Sequence, residues 1–356
     1  MTTLGCKNLL AAFSAIPYEI SSLPEDMVSY GSDDLVPAAT DVNLDYETPR
    51  EDWCPITTAS VQASDSRLPR VFVDGAVNSI EIAGSAQDSM GYARSIRAGQ
   101  LGVGAISLDS PAHSTISCNC LLAATTTGYL AIEIAPLRSE LQSHPRTFDF
   151  IAWDAASDIY FRSAEEREAA IRDVAIVRRR LRRRVTDVML EKEQGLVCQL
   201  NVPVCADGRY VDHLPVNGEQ LVVGVIKSMR RRYLDIPRLQ TLYSLQAGQR
   251  TPAFEVEARN VQVISFYARI SPATAGAVNG LVRVELGKAH FEDHQQQDWS
   301  LLDAITAQLT QLRTKDSSYA RAAVTVEPIR VIEQRIQRLF HPAEGIAMSA
   351  LNMFRM

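Results

Sequence analysis

Two aspartates followed by glycine close apolar stretches of this chain, Val71-Phe72-Val73-Asp74-Gly75 and Val202-Pro203-Val204-Cys205-Ala206-Asp207-Gly208. A carboxylate at the end of a buried strand is held by rigid backbone at a sheet edge, where a cation or substrate can reach it. Two such carboxylates can converge on one cation. The same dipeptide is also a hairpin-turn signal, because Gly takes positive φ without steric cost and Asp tolerates turn geometry. Chemistry therefore has to be argued from what surrounds the pair.

The elements that must position these residues can be outlined from the apolar pattern. Regular structure starts near Leu68. Arg70 to Val73 reads as a strand, Ser79 to Ile82 as its hairpin partner, and Val103 to Leu108 and Tyr129 to Ile134 as further strands of an antiparallel meander around Asp74. Ser163, with Glu165 and Glu166 behind it, caps a long helix running to about Gln194 and ended by Gly195. Strands then follow at Gln220 to Ile226, Phe254 to Val256, Val261 to Ile270 and Gly280 to Leu286, with a helix or loop at Ile236 to Leu245. Helices from Trp299 to Leu312 and from Glu327 to Phe340 complete the run. Strands first, then helices interleaved with strands, predict an α/β fold built on a mixed sheet.

The helix ahead of the second Asp-Gly carries Arg178, Arg179, Arg180, Arg182, Arg183 and Arg184. Such a run is either a solvated face or a surface that contacts phosphate. The net charge of −6 gives no global attraction to nucleic acid, so a nucleic-acid partner would be met by this local surface.

With 356 residues, 46% of them hydrophobic, the chain can bury a sizeable core in one large domain or two moderate ones. Residues 1 to 67, acidic and rich in Ser and Pro around one apolar patch at Leu9 to Phe13, read as a helical and irregular extension; 68 to 340 hold the main domain and 341 to 356 a tail. No apolar run is long enough to span a bilayer, and the start, with Glu19 and Glu25, does not read as a secretory signal, so a cytoplasmic location is expected. Cys6, Cys54, Cys118, Cys120, Cys198 and Cys205 are too scattered for a zinc site and read as mostly buried thiols.

The succession of segments resembles the NurA family of nucleases, which work with the HerA hexameric ATPase in DNA end processing, over roughly Leu68 to Phe340. Val73-Asp74-Gly75 is similar to the family's opening Val-Asp-Gly-Ser, and Cys205-Ala206-Asp207-Gly208-Arg209 to its second Asp-Gly strand. Val222 to Ser228 is similar to its Val-Gly-Val-x-Lys segment, Val263 to Arg269 to its aromatic strand, and Leu281 to Leu286 to its Arg-x-Glu strand. Val326 to Glu333 stands where the family has a final helix opened by Pro.

The resemblance implies an RNase H-like mixed sheet flanked by helices, with acidic residues gathered at the sheet edge around manganese or magnesium. Hard divalent cations take oxygen ligands, and phosphodiester hydrolysis needs a metal-bound hydroxide and charge neutralisation at the scissile phosphate. On this footing Asp74 is the ligand shared between metals, Asp207 the second and Glu285 the third. Lys227 neutralises the phosphate, and Tyr267 orients the attacking water or stacks on a base. Glu285 paired with Arg283 or Arg269, a solvated Lys227 and a core Tyr267 are the plain alternatives. The family's helix Glu ahead of the second Asp-Gly corresponds to Asp187 or Glu191, four apart on one helical face. Ile332-Glu333 replaces the family's final Ala-His, with Glu333 a possible oxygen ligand, and Ala76 replaces the Ser after the first Asp-Gly.

These features predict a metal-dependent DNA nuclease, homodimeric and served by a HerA-like ATPase. The departures leave a non-catalytic adaptor or DNA clamp on such a motor as the alternative, and an RNA-cleaving or strand-transfer relative as a third. The apolar N-terminal patch and Met348, Leu351, Met353 and Phe354 are expected contact surfaces, or a tail packed on its own domain.

Overall fold

The computed structural model describes residues 42–58, 65–83, 91–126, 139, 148–155, 163–215, 220–227, 233–273, 278–293, 296–297, 299–315 and 322–355. The readings made for Leu9 to Phe13, Tyr129 to Ile134 and Ser228 lie outside these residues. In chain order the strands of the large sheet are β1 (Val42–Asn43), β2 (Ile56–Thr57), β3 (Val71–Ala83), β4 (Ile96–Ser107), β5 (Ser114–Thr125), β6 (Phe148–Trp153), β7 (Val204–Asp207), β8 (Val222–Ile226), β9 (Gln249–Arg250), β10 (Phe254–Ala258), β11 (Val261–Arg269) and β12 (Leu281–Gly287). The helices are α1 (Ala164–Ala170), α2 (Val174–Leu200), α3 (Ile236–Ser244), α4 (Lys288–Phe291), α5 (Trp299–Gln311), α6 (Glu327–Leu339) and α7 (Ala343–Arg355).

The fold is a mixed α/β arrangement in which one large sheet, in the order β1-β10-β11-β12-β8-β7-β3-β4-β5-β6, is flanked by helices. β3, β4 and β5 form an antiparallel meander, whereas β7 runs parallel to β3 and β8 parallel to β7. β12 and β11 continue the sheet in antiparallel fashion from β8. β1 and β2, from the segment read as an extension, join the same sheet through β10 and β9.

Side chains alternate across the sheet, and the helices divide accordingly. Val77, Leu101, Leu121 and Ala123 face α2, packing on Val177, Leu181 and Val185. Phe72, Ile106 and Ile116 face the other way, onto Ile329, Ile332 and Ile336 of α6. Ile82, Ile96, Ala98 and Leu122 lie under Ile346, Ala347 and Ala350 of α7, so the tail packs on its own domain, with Met348 exposed. The Leu351, Met353 and Phe354 side chains lie outside the described residues.

Three sequence expectations are corrected. Ser79 to Ile82 does not turn back to pair with the strand before it; β3 runs straight through Gly75, paired along its length with β4. Ser163 does accept from the Glu166 amide as an N-cap, but that helix is the short α1; Asp173 caps α2 afresh, accepting from the Ala175 and Ile176 amides. Gly195 lies inside α2, which ends at Asn201, whose φ of 47° supplies the left-handed terminus.

Where β7 ends, the chain turns sharply at Gly208, with φ of 123°, and crosses β8 at Gly224. A Cβ there would stand 2.6 Å from the Tyr210 nitrogen and 2.7 Å from the Gly208 oxygen, backbone atoms that cannot swing aside. Gly224→Ala is therefore expected to lose about 1–3 kcal/mol of stability, the usual cost of overpacking a close contact. Denaturant unfolding reads this directly, and an unchanged midpoint would mean the loop does not cross that strand.

Candidate functional site

Asp74 sits near the middle of the sheet, on the strand where the antiparallel and parallel halves meet, and is 6% exposed. Asp207 is the last residue of β7 and Lys227 directly follows β8, so two parallel strands deliver an acid and a base to one edge. Lys227 Nζ donates to Asp207 Oδ2 at 2.6 Å, and Asp74 Oδ1 accepts from the Gly75 amide at 2.9 Å. Burial holds the Asp74 carboxyl well above the usual carboxylate range. The Asp207 charge pushes it further, Lys227 opposes, and Glu193 and Glu333 add to the rise.

Glu333 reaches this group because of two glycines. Gly104 is paired with Asp74 across β3 and β4, and with Gly102 it leaves β4 bare beneath α6, where the Ile332 and Ile336 methyl groups settle. The helix thereby lies close to the sheet and carries Glu333 into the field of Asp74.

Glu193 reaches the group from the other face of the sheet. It lies on α2, 1% exposed, with its Oε1 in the space that a Cβ on Gly75 would occupy. Its Oε2 lies 2.8 Å from Nε2 of His213, a residue with no exposed surface. The other ring nitrogen, Nδ1, is 3.0 Å from the Arg209 carbonyl oxygen, which can only accept, so Nδ1 carries a hydrogen. The Nε2–Oε2 contact then holds one further proton between the two side chains. Burial alone would lower the His213 pKa, and the Glu193 carboxylate more than reverses it, leaving the imidazole above its usual value.

A rigid loop aims His213. Arg209 grips Asp212 through a buried fork, Nε to Oδ2 at 3.0 Å and Nη2 to Oδ1 at 2.9 Å. The His213 amide donates to the Tyr210 oxygen, and the Tyr210 amide donates to Glu285 Oε2 at 3.1 Å.

That last bond shows what Glu285 does. The row Glu285, Gly224, Ala206 and Val73 runs across the sheet one residue out of step with Asp207 and Val225, so by strand alternation Glu285 faces away from Asp74 and Asp207. It anchors the loop and pairs with Arg283 at 3.1 Å. Tyr267 lies opposite Arg283 in the register, 2% exposed, its hydroxyl hydrogen-bonded to that guanidinium, which also covers the Tyr233 ring. The structure brings neither Glu285 nor Tyr267 to the acidic group.

Nor does it bring Asp187 or Glu191. Arg183 pairs with Asp187 at 2.8 Å and Arg184 with Glu191 at 2.7 Å, so both acids are spent on arginines of their own helix. Arg178 is likewise engaged, with Glu81 at 2.9 Å, and with Arg179 it is exposed, while Arg180, Arg182 and Arg184 are half-buried and Arg183 is buried.

The assembled group is Asp74, Asp207, Glu193 and Glu333, with Lys227 as counter-charge and His213 behind Glu193. Its donors are carboxylate oxygens, which suit magnesium or manganese. Among the described residues no three His, Cys, Asp or Glu side chains converge closely enough to hold a metal as they stand. Each acid already has a contact: Lys227 on Asp207, His213 on Glu193, the Gly75 amide on Asp74 and the Gln337 side-chain amide on Glu333.

Sequence reasoning missed Glu193 and His213. The available signal was Gly75, whose lack of a side chain on the α2 side makes room for one carboxylate. No helix among the described residues is long and apolar enough to cross a membrane.

No family model and no curated protein matches this chain. Among solved structures, the catalytic domain of human Endonuclease V is similar with 13% identity and a TM-score of 0.30, over 79% of this chain and 91% of that one.

The folded chain holds the Asp74 proton at pH values where an unfolded chain has released it. Stability therefore falls as pH rises above the ordinary carboxylate value of 3.8. Asp74→Asn removes that loss, so the variant is expected to melt higher than wild type, with a gap that widens as pH rises above that ordinary value toward neutrality. Calorimetric scans across that range test it; a variant that melts lower at every pH would show that the Asp74 charge is not under repulsion.

Proposed function

We propose that this chain is a divalent-cation-dependent nuclease hydrolysing phosphodiester bonds of DNA. The observation that carries the reading is the buried Asp74 carboxyl, pressed by Asp207, Glu193 and Glu333 and partly offset by Lys227. A protein gains nothing in stability from such crowding of like charges, so the arrangement points to a cation and an anionic substrate.

The strand pattern supports an RNase H-like core, because an antiparallel meander β3-β4-β5 with β7 and β8 added parallel beside β3 is the order and direction of that fold. The resemblance implies acids gathered at the sheet edge and a helix acid ahead of the second Asp-Gly, and Glu193 on α2 is suited to that place beside Asp74 and Asp207.

Asp74, Asp207, Glu193 and Glu333 would hold manganese or magnesium, and when bound the cation supplies activation of water and neutralisation of the scissile phosphate. The chain's own groups do the rest. Lys227, released from Asp207, neutralises a phosphate oxygen. His213 fixes the orientation of Glu193 and keeps the proton it shares with it. Arg178 and Arg179, exposed on α2, are suited to contact the phosphate backbone. The resemblance to the NurA family extends the reading to DNA end processing, as a homodimer served by a HerA-like ATPase.

A second reading is an adaptor or DNA clamp without catalysis. The Lys227–Asp207 contact favours it, since an ammonium group at 2.6 Å already compensates one of the acids a metal would need.

The test is incubation of purified protein with labelled single-stranded and blunt duplex DNA in manganese, magnesium or chelator. Cleavage in manganese is expected, lost to background in Asp74→Asn and Glu193→Gln. Undiminished cleavage by Asp74→Asn would sink the proposal, and DNA binding with no cleavage by wild type under any condition would favour the adaptor. His213→Ala is expected to keep the fold and lose about 10–100-fold in activity or metal affinity, the usual cost of losing a residue that orients a ligand. Gly75→Ala is expected to displace Glu193 and lower activity without removing any charged group, measured in the same assay.

A further inference from the structure

A cleft of about 660 Å³ opens beside α2, apart from the acidic group: none of Asp74, Asp207, Lys227 and Glu333 lines it. One side of α2 forms its floor, Trp153 and Asp154 at the end of β6 form one wall, and Asp212 and Arg259 form another. Four arginines line it, Arg180, Arg183, Arg184 and Arg259.

Their carboxylate partners leave binding capacity unused. Asp212 is held on both oxygens by Arg209, and Arg259 stands 3.2 Å from the same Asp212 Oδ1, so two guanidinium groups share one carboxylate. Arg259 also donates to the Val211 oxygen, and its own backbone sits at φ of 52° in the β10–β11 turn, where a non-glycine residue is sterically disfavoured. Arg184 is half-buried and Glu191 exposed, with side-chain accessibilities of 36% and 60%, and such a solvent-facing pair opens at little cost. Arg183 is 8% exposed and has one carboxylate contact, Asp187, while its Nη2 has no hydrogen-bond acceptor among the described residues. A buried guanidinium with one carboxylate for five N–H groups is poorly compensated, and its field opens on the cleft.

The cleft is lined by four arginines and by four acids, Asp154, Asp187, Glu191 and Asp212. Its lining is therefore balanced in charge, with Arg209, 5% exposed, sharing Asp212 with Arg259. A volume of this size suits a small molecule or a few linked groups rather than a lone ion. Arginine forks match tetrahedral oxyanions bidentately, and a phosphate brings more charge and more acceptor oxygens than the carboxylates it must outbid.

We propose that this cleft is a phosphate-binding site, taking either a phosphorylated small molecule or phosphates of a nucleic-acid strand. The assignment goes beyond the nuclease reading and does not need it.

Binding of inorganic pyrophosphate is measured by calorimetric titration with chelator present throughout, so that no metal at the acidic group can recruit phosphate. Wild type is expected to bind, Arg184→Ala and Arg259→Ala each to bind at least about tenfold more weakly, the loss of a charged hydrogen bond, and Asp74→Asn to bind as wild type. Both arginines are partly exposed, so the variants are expected to fold, and melting curves check this. An oligonucleotide that competes with pyrophosphate assigns the phosphates to a strand; pyrophosphate binding without competition assigns them to a small ligand. Unchanged binding in both arginine variants, or no binding by wild type, overturns the site. Because no cleavage is measured, failure here is distinct from failure of the nuclease reading.

Discussion

The candidate site depends on the burial of Asp74, sharpened by the charge of Asp207 beside it. The two carboxylates are presented by adjacent parallel strands, one buried and one at the strand end, and neither can retreat without breaking the sheet that holds it. In water two such groups would part; in a packed sheet the field must be met by a proton, by Lys227 or by a cation. The burial that fixes the geometry is the same burial that makes the charge costly, so the site is poised by construction.

The remaining polar groups are distributed over the two faces of the sheet in distinct roles. On the α6 face the contribution is electrostatic, with Glu333 brought in over bare glycines. On the α2 face it is architectural. Glu285, Arg283 and Tyr267 form a buried chain that supports the loop from Gly208 to His213, and the loop's Arg209–Asp212 fork holds the imidazole against Glu193. Glu193 serves both roles from the α2 face, since one oxygen meets His213 and the other lies over Gly75.

How much of this could be read from the chain depended on which side of a strand a residue faces. Asp74, Asp207 and Lys227 were legible because each closes an apolar run, and the end of a run shows without knowledge of register. Glu285 and Tyr267 also stand in apolar strands, but a one-residue difference in register decides the face, and no local pattern reveals the register across β8 and β12. On α2, Asp187, Glu191 and Glu193 are equivalent as sequence; only the contact with Gly75 distinguishes them. The hairpin read at the first Asp-Gly failed because Gly75 provides room and not a turn, whereas Gly208, at positive φ, is a turn. The helices from Trp299 and from Glu327 and the strands Phe254–Ala258, Val261–Arg269 and Leu281–Gly287 fall within a residue or two of their expected bounds, since their apolar periodicity is regular.

The bare stretch of β4 at Gly102 and Gly104 has a consequence for how such proteins diverge. A methyl group at either position would lift α6 and draw Glu333 away while every ionisable residue stayed in the sequence. The identity of the site is thus written partly in atoms that are missing. Drift at two chemically silent positions could retire the chemistry and leave a fold whose charged residues still advertise it.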